Sequence, residues 1–334
     1  MIFTKTQQAA ITLMKQDLQY LYTIIMKYNN VSLSNYIVSL MPYIGVVIDG
    51  VEDWLKSYNN SHKEKLKIPL FSKKEQEYYE EMRSSIKLWD NSYNDIYNKL
   101  GVLYQESENY FASISEPVIK ELKLYDIFGT DVVSGKFCGN TILCGYYTPK
   151  FSFYDSIGEY IKSMSVIGGK FIAYFNATQE YDTDINMNFD TDDFGGLIKS
   201  PVGNAFSDKF VLFSILCQIN FVVYCVDKYI IPEVPVKLRF SYLLYYYLLR
   251  VLPEVNEKIK SNLVLDNKWD SQLFRNAMAH YKLGVSLKES EIDEKDMMFG
   301  LTNKFFGQGY KETKNAILLE LKSLSNQIEC YLNL

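Results

Sequence analysis

The sequence predicts a mainly α-helical protein, and three observations favour this class. Apolar residues recur at helical spacing in the first and last parts of the chain. Hydrophobic residues make up 48% of the 334 residues, which is enough to bury a sizeable core. Glycines are concentrated in the middle, where they and Pro149 break the helical pattern. We therefore expect an N-terminal helical bundle over residues 1–127, an irregular connecting segment with short strands over 128–204, and a C-terminal four-helix bundle over 205–334.

Two heptad stripes define the N-terminal helices. The first runs from Ile11 to Tyr28, and the second, from Met82 to Leu103, is long enough for a coiled-coil-like helix. Ser72 and Glu75 form a capping box that starts the second helix. The stripes fit packing within one bundle. They also fit a dimer seam or a docking face for a partner, such as an antitoxin or a regulatory protein.

The segment between the stripes is expected to hold one helix and one loop. The helix covers residues 43–58 and follows Pro42, and the polar stretch 59–67 forms the loop. His62 lies in this loop among lysines. We interpret it as a solvated surface residue with no arginine partner.

The middle segment contains an acidic stretch over residues 182–193. Its alternating carboxylates and amides are suitable calcium ligands, but Met187 stands where an EF-hand loop needs glycine. Ile185, Met187 and Phe189 alternate with polar residues, which favours an exposed strand or an acidic loop. The sequence therefore predicts neither a metal site nor a cofactor.

From Ser207 onward the chain is expected to be helical again. One apolar stretch, Phe210–Val226, is short for a membrane span and contains Gln218 and Asn220, so we expect a buried core helix and no membrane association. A loop is expected around residues 293–302. The predicted helices cover 210–230, 236–252, 269–283 and 311–332.

Charge and cysteine content limit the function classes. The net charge is −5, so binding of nucleic acid by bulk charge is excluded and any RNA site needs a local basic patch. The five cysteines are scattered, with no pair spaced for zinc. The N-terminus lacks a signal-peptide pattern. These features predict a cytoplasmic protein with structural thiols.

The most specific chemical feature lies late in the chain. There are two histidines and four arginines, yet Arg275 lies five positions before His280 and Asn276 directly follows the arginine. An imidazole moves protons and a guanidinium binds phosphate charge, which is what metal-free phosphodiester cleavage needs. Ser271 or Asp270 can cap the predicted helix, and Gly284 can stop it.

Helical geometry divides this segment into two faces. The predicted core face carries Leu273, Phe274, Ala277, Met278 and Tyr281. The polar side carries Arg275, Asn276, Ala279 and His280. Asn276 and His280 are neighbours one turn apart. The small Ala279 leaves a groove in which a second backbone can approach closely.

The Arg-Asn-x-x-x-His pattern of Arg275, Asn276 and His280, on a helix late in a helical domain, resembles the motif of the HEPN family. The resemblance covers roughly residues 205–334. It implies a four-helix HEPN-like domain and a ribonuclease of the kind found in toxin–antitoxin, abortive-infection and other antiviral defence systems. The N-terminal region would then be a sensor, an inhibitor or a partner-binding unit.

The resemblance and the residue chemistry together predict a metal-independent endoribonuclease. His280 would act as general base or acid, Arg275 would hold the scissile phosphate, and Asn276 would orient the phosphate or the imidazole. One histidine cannot easily serve as acid and base in one step. A homodimer with a composite site would therefore be needed, as the resemblance implies, and a monomeric enzyme would need another group, such as Tyr281. The alternative is a noncatalytic HEPN-like scaffold in which His280 is structural.

Overall fold

The computed structural model describes residues 3–27, 33–122, 126–148, 157–195, 201–203, 205–281, 283 and 287–334. Within these ranges the chain is mostly helical, which confirms the predicted fold class. The helices are α1 Lys5–Lys27, α2 Leu33–Ser61, α3 Lys73–Ser85, α4 Tyr93–Ile114, α5 Pro117–Leu122, α6 Thr141–Tyr147, α7 Ile157–Tyr174, α8 Asp208–Tyr229, α9 Pro235–Ile259, α10 Gln272–His280, α11 Phe299–Phe306 and α12 Tyr310–Leu332. The strands are β1 Asp126–Val133, β2 Lys136–Asn140 and β3 Phe189–Gly195.

The first heptad stripe forms α1, although Tyr28 lies outside the described residues. The expected helix start after Pro42 is wrong, because α2 begins at Leu33 and contains Pro42. A proline inside a helix removes a backbone hydrogen bond, at a cost of about 3 kcal/mol. Burial of the surrounding apolar residues offsets this cost, since Leu40, Met41 and Tyr43 are all fully buried.

The second heptad stripe does not form one helix. The capping box of Ser72 and Glu75 is confirmed at the start of α3. The chain then passes through a 3-10 turn, Ile86–Asp90, and α4 begins after Ser92, whose hydroxyl accepts a hydrogen bond from the Asp95 amide. A second N-cap in the middle of the stripe thus divides it, although the apolar residues on both sides remain buried.

The middle segment is more regular than predicted. The expected strands are present: β1 and β2 form a hairpin whose turn residues, Ser134 and Gly135, both have positive φ. β3 pairs with the other edge of β1, so the antiparallel sheet has the order β2-β1-β3. The acidic stretch is a loop that enters β3 at Phe189. The helices α6 and α7 were not predicted.

The C-terminal helices follow the predicted order. α8 is long and apolar enough to cross a membrane, but 89% of its apolar window is buried inside the protein. This confirms the predicted core helix, which contains a π-helical stretch over Phe221–Val226. α9 continues through Pro253 to Ile259. α11 begins within the stretch expected to be a loop.

The helices of residues 1–127 and 205–334 contact each other directly. α1 and the Ile86–Asp90 turn both contact α9, and α2 contacts α10. The rings of Tyr43 in α2 and Phe240 in α9 lie 4.3 Å apart. Trp89 donates to Gln218 of α8 at 2.7 Å. The predicted division into domains stays a prediction, and these contacts place both parts against one hydrophobic core.

Candidate active site

The helix that carries the Arg275–His280 motif is shorter than the predicted range 269–283. Ser271 caps α10 by accepting a hydrogen bond from the Phe274 amide, and the helix ends at His280 because Tyr281 adopts a left-handed conformation. Gly284, the predicted stop, lies outside the described residues. The core face is confirmed except at Leu273, which is 67% exposed. Phe274 packs against the rings of Tyr242, Phe305 and Phe306, with the Phe306 ring 4.7 Å away.

Arg275 lies half-buried on the polar side of α10. Its Nη1 donates to Asn276 Oδ1 at 2.9 Å, and its guanidinium lies 5.3 Å from the ring of Tyr246 and 5.9 Å from that of Tyr247. Its Nε is buried, and no hydrogen-bond partner for this atom exists in the described part of the chain. Asn276 thus accepts a hydrogen bond from the arginine and helps to orient its guanidinium.

The other arginines all have a carboxylate partner. The pairs are Arg83 with Asp49 at 3.0 Å, Arg239 with Asp17 at 2.9 Å, and Arg250 with Asp270 at 2.5 Å. Arg275 forms no such pair with the residues that the structure describes. Of the four arginines, Arg275 is therefore the one best placed to bind an anion.

His280 lies against α2. Its Nδ1 is 3.4 Å from Asp53 Oδ2, and the two side chains are 23% and 36% exposed. This approach allows electrostatic attraction between the carboxylate and a protonated imidazole, but it is not a hydrogen bond. Nε2, the other ring nitrogen, is the candidate for proton exchange with a substrate. Sequence reasoning missed Asp53, because no local pattern connects it with the distant histidine.

Two glycines of α2 bring these elements together. A Cβ on Gly50 would lie 2.7 Å from the Ala279 carbonyl oxygen, and one on Gly45 would lie 2.4 Å from the Arg83 amide nitrogen. α2 therefore packs at backbone distance against both α10 and α3. The groove predicted at Ala279 is filled by α2 of the same chain, so it is not open to a second copy.

One turn of α2 is acidic, and each of its carboxylates has a basic residue beside it. Asp49 pairs with Arg83, Glu52 with Lys56 at 2.9 Å, and Asp53 with His280. Burial raises the pKa of Asp49, and Arg83 opposes that shift. These carboxylates would repel a polyanion near His280. The guanidinium of Arg275 would attract it, so a polyanion would bind more favourably at Arg275.

Tyr247 lies beside Arg275, whose guanidinium is 5.9 Å from the phenol ring. Burial raises the pKa of Tyr247, while the charges of Arg275 and Arg83 oppose that shift. The sequence contained no signal that placed Tyr247 at the candidate site.

Tyr281 and His62 do not belong to this surface. Tyr281 is 1% exposed and donates to Asp17 at 2.6 Å, and burial raises its pKa well above the usual range. It therefore cannot be the second proton-transfer group. His62 lies partly exposed at the surface, where its ring stacks on Tyr58 at 4.0 Å and contacts Gln7.

The described residues contain no group of three or more His, Cys, Asp or Glu side chains arranged to hold a metal ion. A surface groove is lined by residues of 290–295 and 299–304, and none of the motif residues lines it. Comparisons with protein-family models, with curated proteins and with solved structures returned no match to this chain. The candidate site is therefore defined by its own geometry.

Proposed function

We propose that the protein is a metal-independent endoribonuclease that cleaves RNA through the ribose 2′-OH. The observation that carries this proposal is the combination on α10 of Arg275, which has no carboxylate partner within the described chain, and the partly exposed His280, whose Nδ1 lies 3.4 Å from Asp53 Oδ2. One group can bind a phosphate and the other can move a proton. The resemblance of Arg275, Asn276 and His280 to the HEPN motif supports the same function.

The proposed reaction divides the work between these residues. His280 Nε2 removes the proton of the 2′-OH, and the 2′-oxygen forms a bond to phosphorus while the bond to the 5′-oxygen breaks. The products are a 2′,3′-cyclic phosphate and a 5′-hydroxyl, so the leaving oxygen must gain a proton. Arg275 stabilises the charge on the phosphate oxygens, and Asn276 holds the guanidinium.

The proton for the leaving oxygen calls for a second group. Tyr281 is buried, and His62 stacks on Tyr58. We therefore propose a homodimer in which the motif surfaces of two chains form a composite site. The contact would use the exposed edges of Arg275 and His280, since α2 fills the groove at Ala279.

The proposed biological setting is a cytoplasmic toxin or antiviral defence effector. The N-terminal helices would bind an antitoxin or regulatory protein. Only the motif's resemblance and the composition support this part of the proposal.

The test compares purified full-length variants on a single-stranded RNA. His280→Ala and Arg275→Ala are expected to abolish cleavage while the thermal melt stays near wild type. Arg250→Ala is the matched control, because its guanidinium also lies over Tyr246, at 4.5 Å, but is already paired with Asp270. Full activity of His280→Ala would contradict the assignment, as would equal losses in the two arginine variants.

A noncatalytic scaffold is the second candidate function. The guanidinium of Arg275 lies against Tyr246 and Tyr247, which fits a packing role. In that case Arg275→Ala would lower the melting temperature, and wild type would cut no RNA. The same set of variants therefore separates the two candidates.

A further inference from the structure

A buried ion pair lies directly behind the end of α10. Arg239 Nε donates to Asp17 Oδ2 at 2.9 Å, and neither side chain is more than 1% exposed. Tyr281 donates to the same carboxylate oxygen at 2.6 Å, and the guanidinium lies 4.0 Å from its ring. These three residues, here called the Asp17 cluster, come from α1, α9 and the position after His280.

The Asp17 cluster determines where α10 ends. The sequence pattern would continue the helix to Leu283, but Tyr281 has φ 51° and ψ 19°, a left-handed conformation that disfavours residues with a Cβ. Its buried contacts hold it there, because the hydroxyl donates to Asp17 and the ring lies against the Arg239 guanidinium. The backbone thus leaves the helix immediately after His280.

One edge of the Tyr281 ring packs on α2. A Cβ on Gly50 would lie 2.9 Å from a ring carbon of Tyr281. Gly50 precedes Asp53 by three residues, so the two lie on adjacent turns of one helix. The anchored ring therefore sets the spacing between α2 and α10, and with it the 3.4 Å approach of His280 to Asp53.

The ion pair is poorly arranged for stability alone. Asp17 Oδ1 and Arg239 Nη1 are buried without a hydrogen-bond partner among the described residues. Burial raises the pKa of Asp17, against the opposing effects of Arg239 and Tyr281. In a buried ion pair with unsatisfied atoms, the attraction between the charges compensates for little of the cost of desolvation. Such a pair can still hold the residues around it in one arrangement.

We propose that Asp17 is a positioning residue for His280 that acts through Tyr281. α1 then belongs to the catalytic unit and is more than a removable sensor. The inference rests on the proposed function, since it concerns the imidazole assigned there to proton transfer. Asp17 itself does not touch the substrate.

The variant that tests this is Tyr281→Phe. It removes only the hydroxyl and keeps the ring between Arg239 and Gly50, whereas Asp17→Ala would leave Arg239 as an unpaired buried charge and threaten the fold. Tyr93→Phe is the matched control. Its hydroxyl also donates to a carboxylate, that of Asp208 at 2.5 Å, at the contact of α4 with α8.

Two readouts distinguish positioning from general stability. With only two histidines, imidazole ¹⁵N chemical shifts report on His280, and His62 is the internal reference. Tyr281→Phe is expected to change the His280 shifts but not those of His62. It should also lower kcat about tenfold with little change in KM, because misplaced catalytic groups lose rate without losing binding. Tyr93→Phe should change neither quantity.

Each outcome decides one claim. Unchanged His280 shifts in a folded Tyr281→Phe protein would overturn the positioning role, whatever the activity. If wild type cleaves no RNA, the proposed function fails, and the shifts still decide whether the Asp17 cluster holds the imidazole. Equal changes in the Tyr281→Phe and Tyr93→Phe proteins would also overturn the proposal.

Discussion

Gly50→Ala tests the packing that brings α2 and α10 together. The new Cβ would lie 2.7 Å from the Ala279 carbonyl oxygen and 2.9 Å from the Tyr281 ring, and real Cβ contacts stay above 3.0 Å. The helices must therefore separate. Overpacking of this kind costs about 1–3 kcal/mol. Replacing a helical glycine by alanine returns about 0.5–1 kcal/mol, so the net loss is about 1 kcal/mol.

The matched control is Gly169→Ala in α7. No atom lies within 4 Å of its added Cβ, so this variant should gain about 0.5–1 kcal/mol from helix propensity alone. Urea denaturation followed by tryptophan fluorescence measures both changes, and imidazole shifts show whether His280 has moved. If Gly50→Ala were as stable as Gly169→Ala with unchanged His280 shifts, the close packing at the candidate site would be wrong.

Three further predictions concern the site and the thiols. Asp53→Asn should fold normally and lower kcat for RNA cleavage about tenfold or more, because the amide no longer stabilises a protonated imidazole; an unchanged kcat would remove Asp53 from the site. Light scattering on the full-length protein should give a dimer mass, and a strictly monomeric protein that still cuts RNA would contradict the composite site. Alkylation of native protein at pH 8 should modify Cys330 first, because Cys330 is exposed while burial raises the pKa of Cys138, Cys144 and Cys217; mass spectrometry that finds these three labelled equally fast would refute this.

Helical periodicity and capping chemistry are local, and they predicted much of the fold. The capping box at Ser72, the core helix after Ser207 and the buried faces of Phe274 and Met278 all depend on neighbours within two turns. The break at Ser92 was missed because the heptad stripe continues across it. Pro42 lies within α2 because tertiary burial outweighs local propensity.

The partners of the predicted site residues come from distant parts of the chain. No local pattern connects Asp53 with His280, Tyr247 with Arg275, or Asp17 with Tyr281. The close approach expected at Ala279 does occur, but with Gly50 of the same chain. Chemistry thus identified the motif, and only three-dimensional packing identified what surrounds it.

The central claim is that Arg275 and His280 cleave RNA through the 2′-OH without a metal. The most direct measurement incubates purified full-length protein in EDTA with an RNA and with the same sequence carrying 2′-deoxyriboses, and identifies the ends by mass spectrometry. The account predicts 2′,3′-cyclic phosphate and 5′-hydroxyl ends from the RNA, no cleavage of the deoxy substrate, and no products with His280→Ala. Cleavage of the deoxy substrate, a strict need for a divalent ion, or undiminished activity of His280→Ala would contradict it.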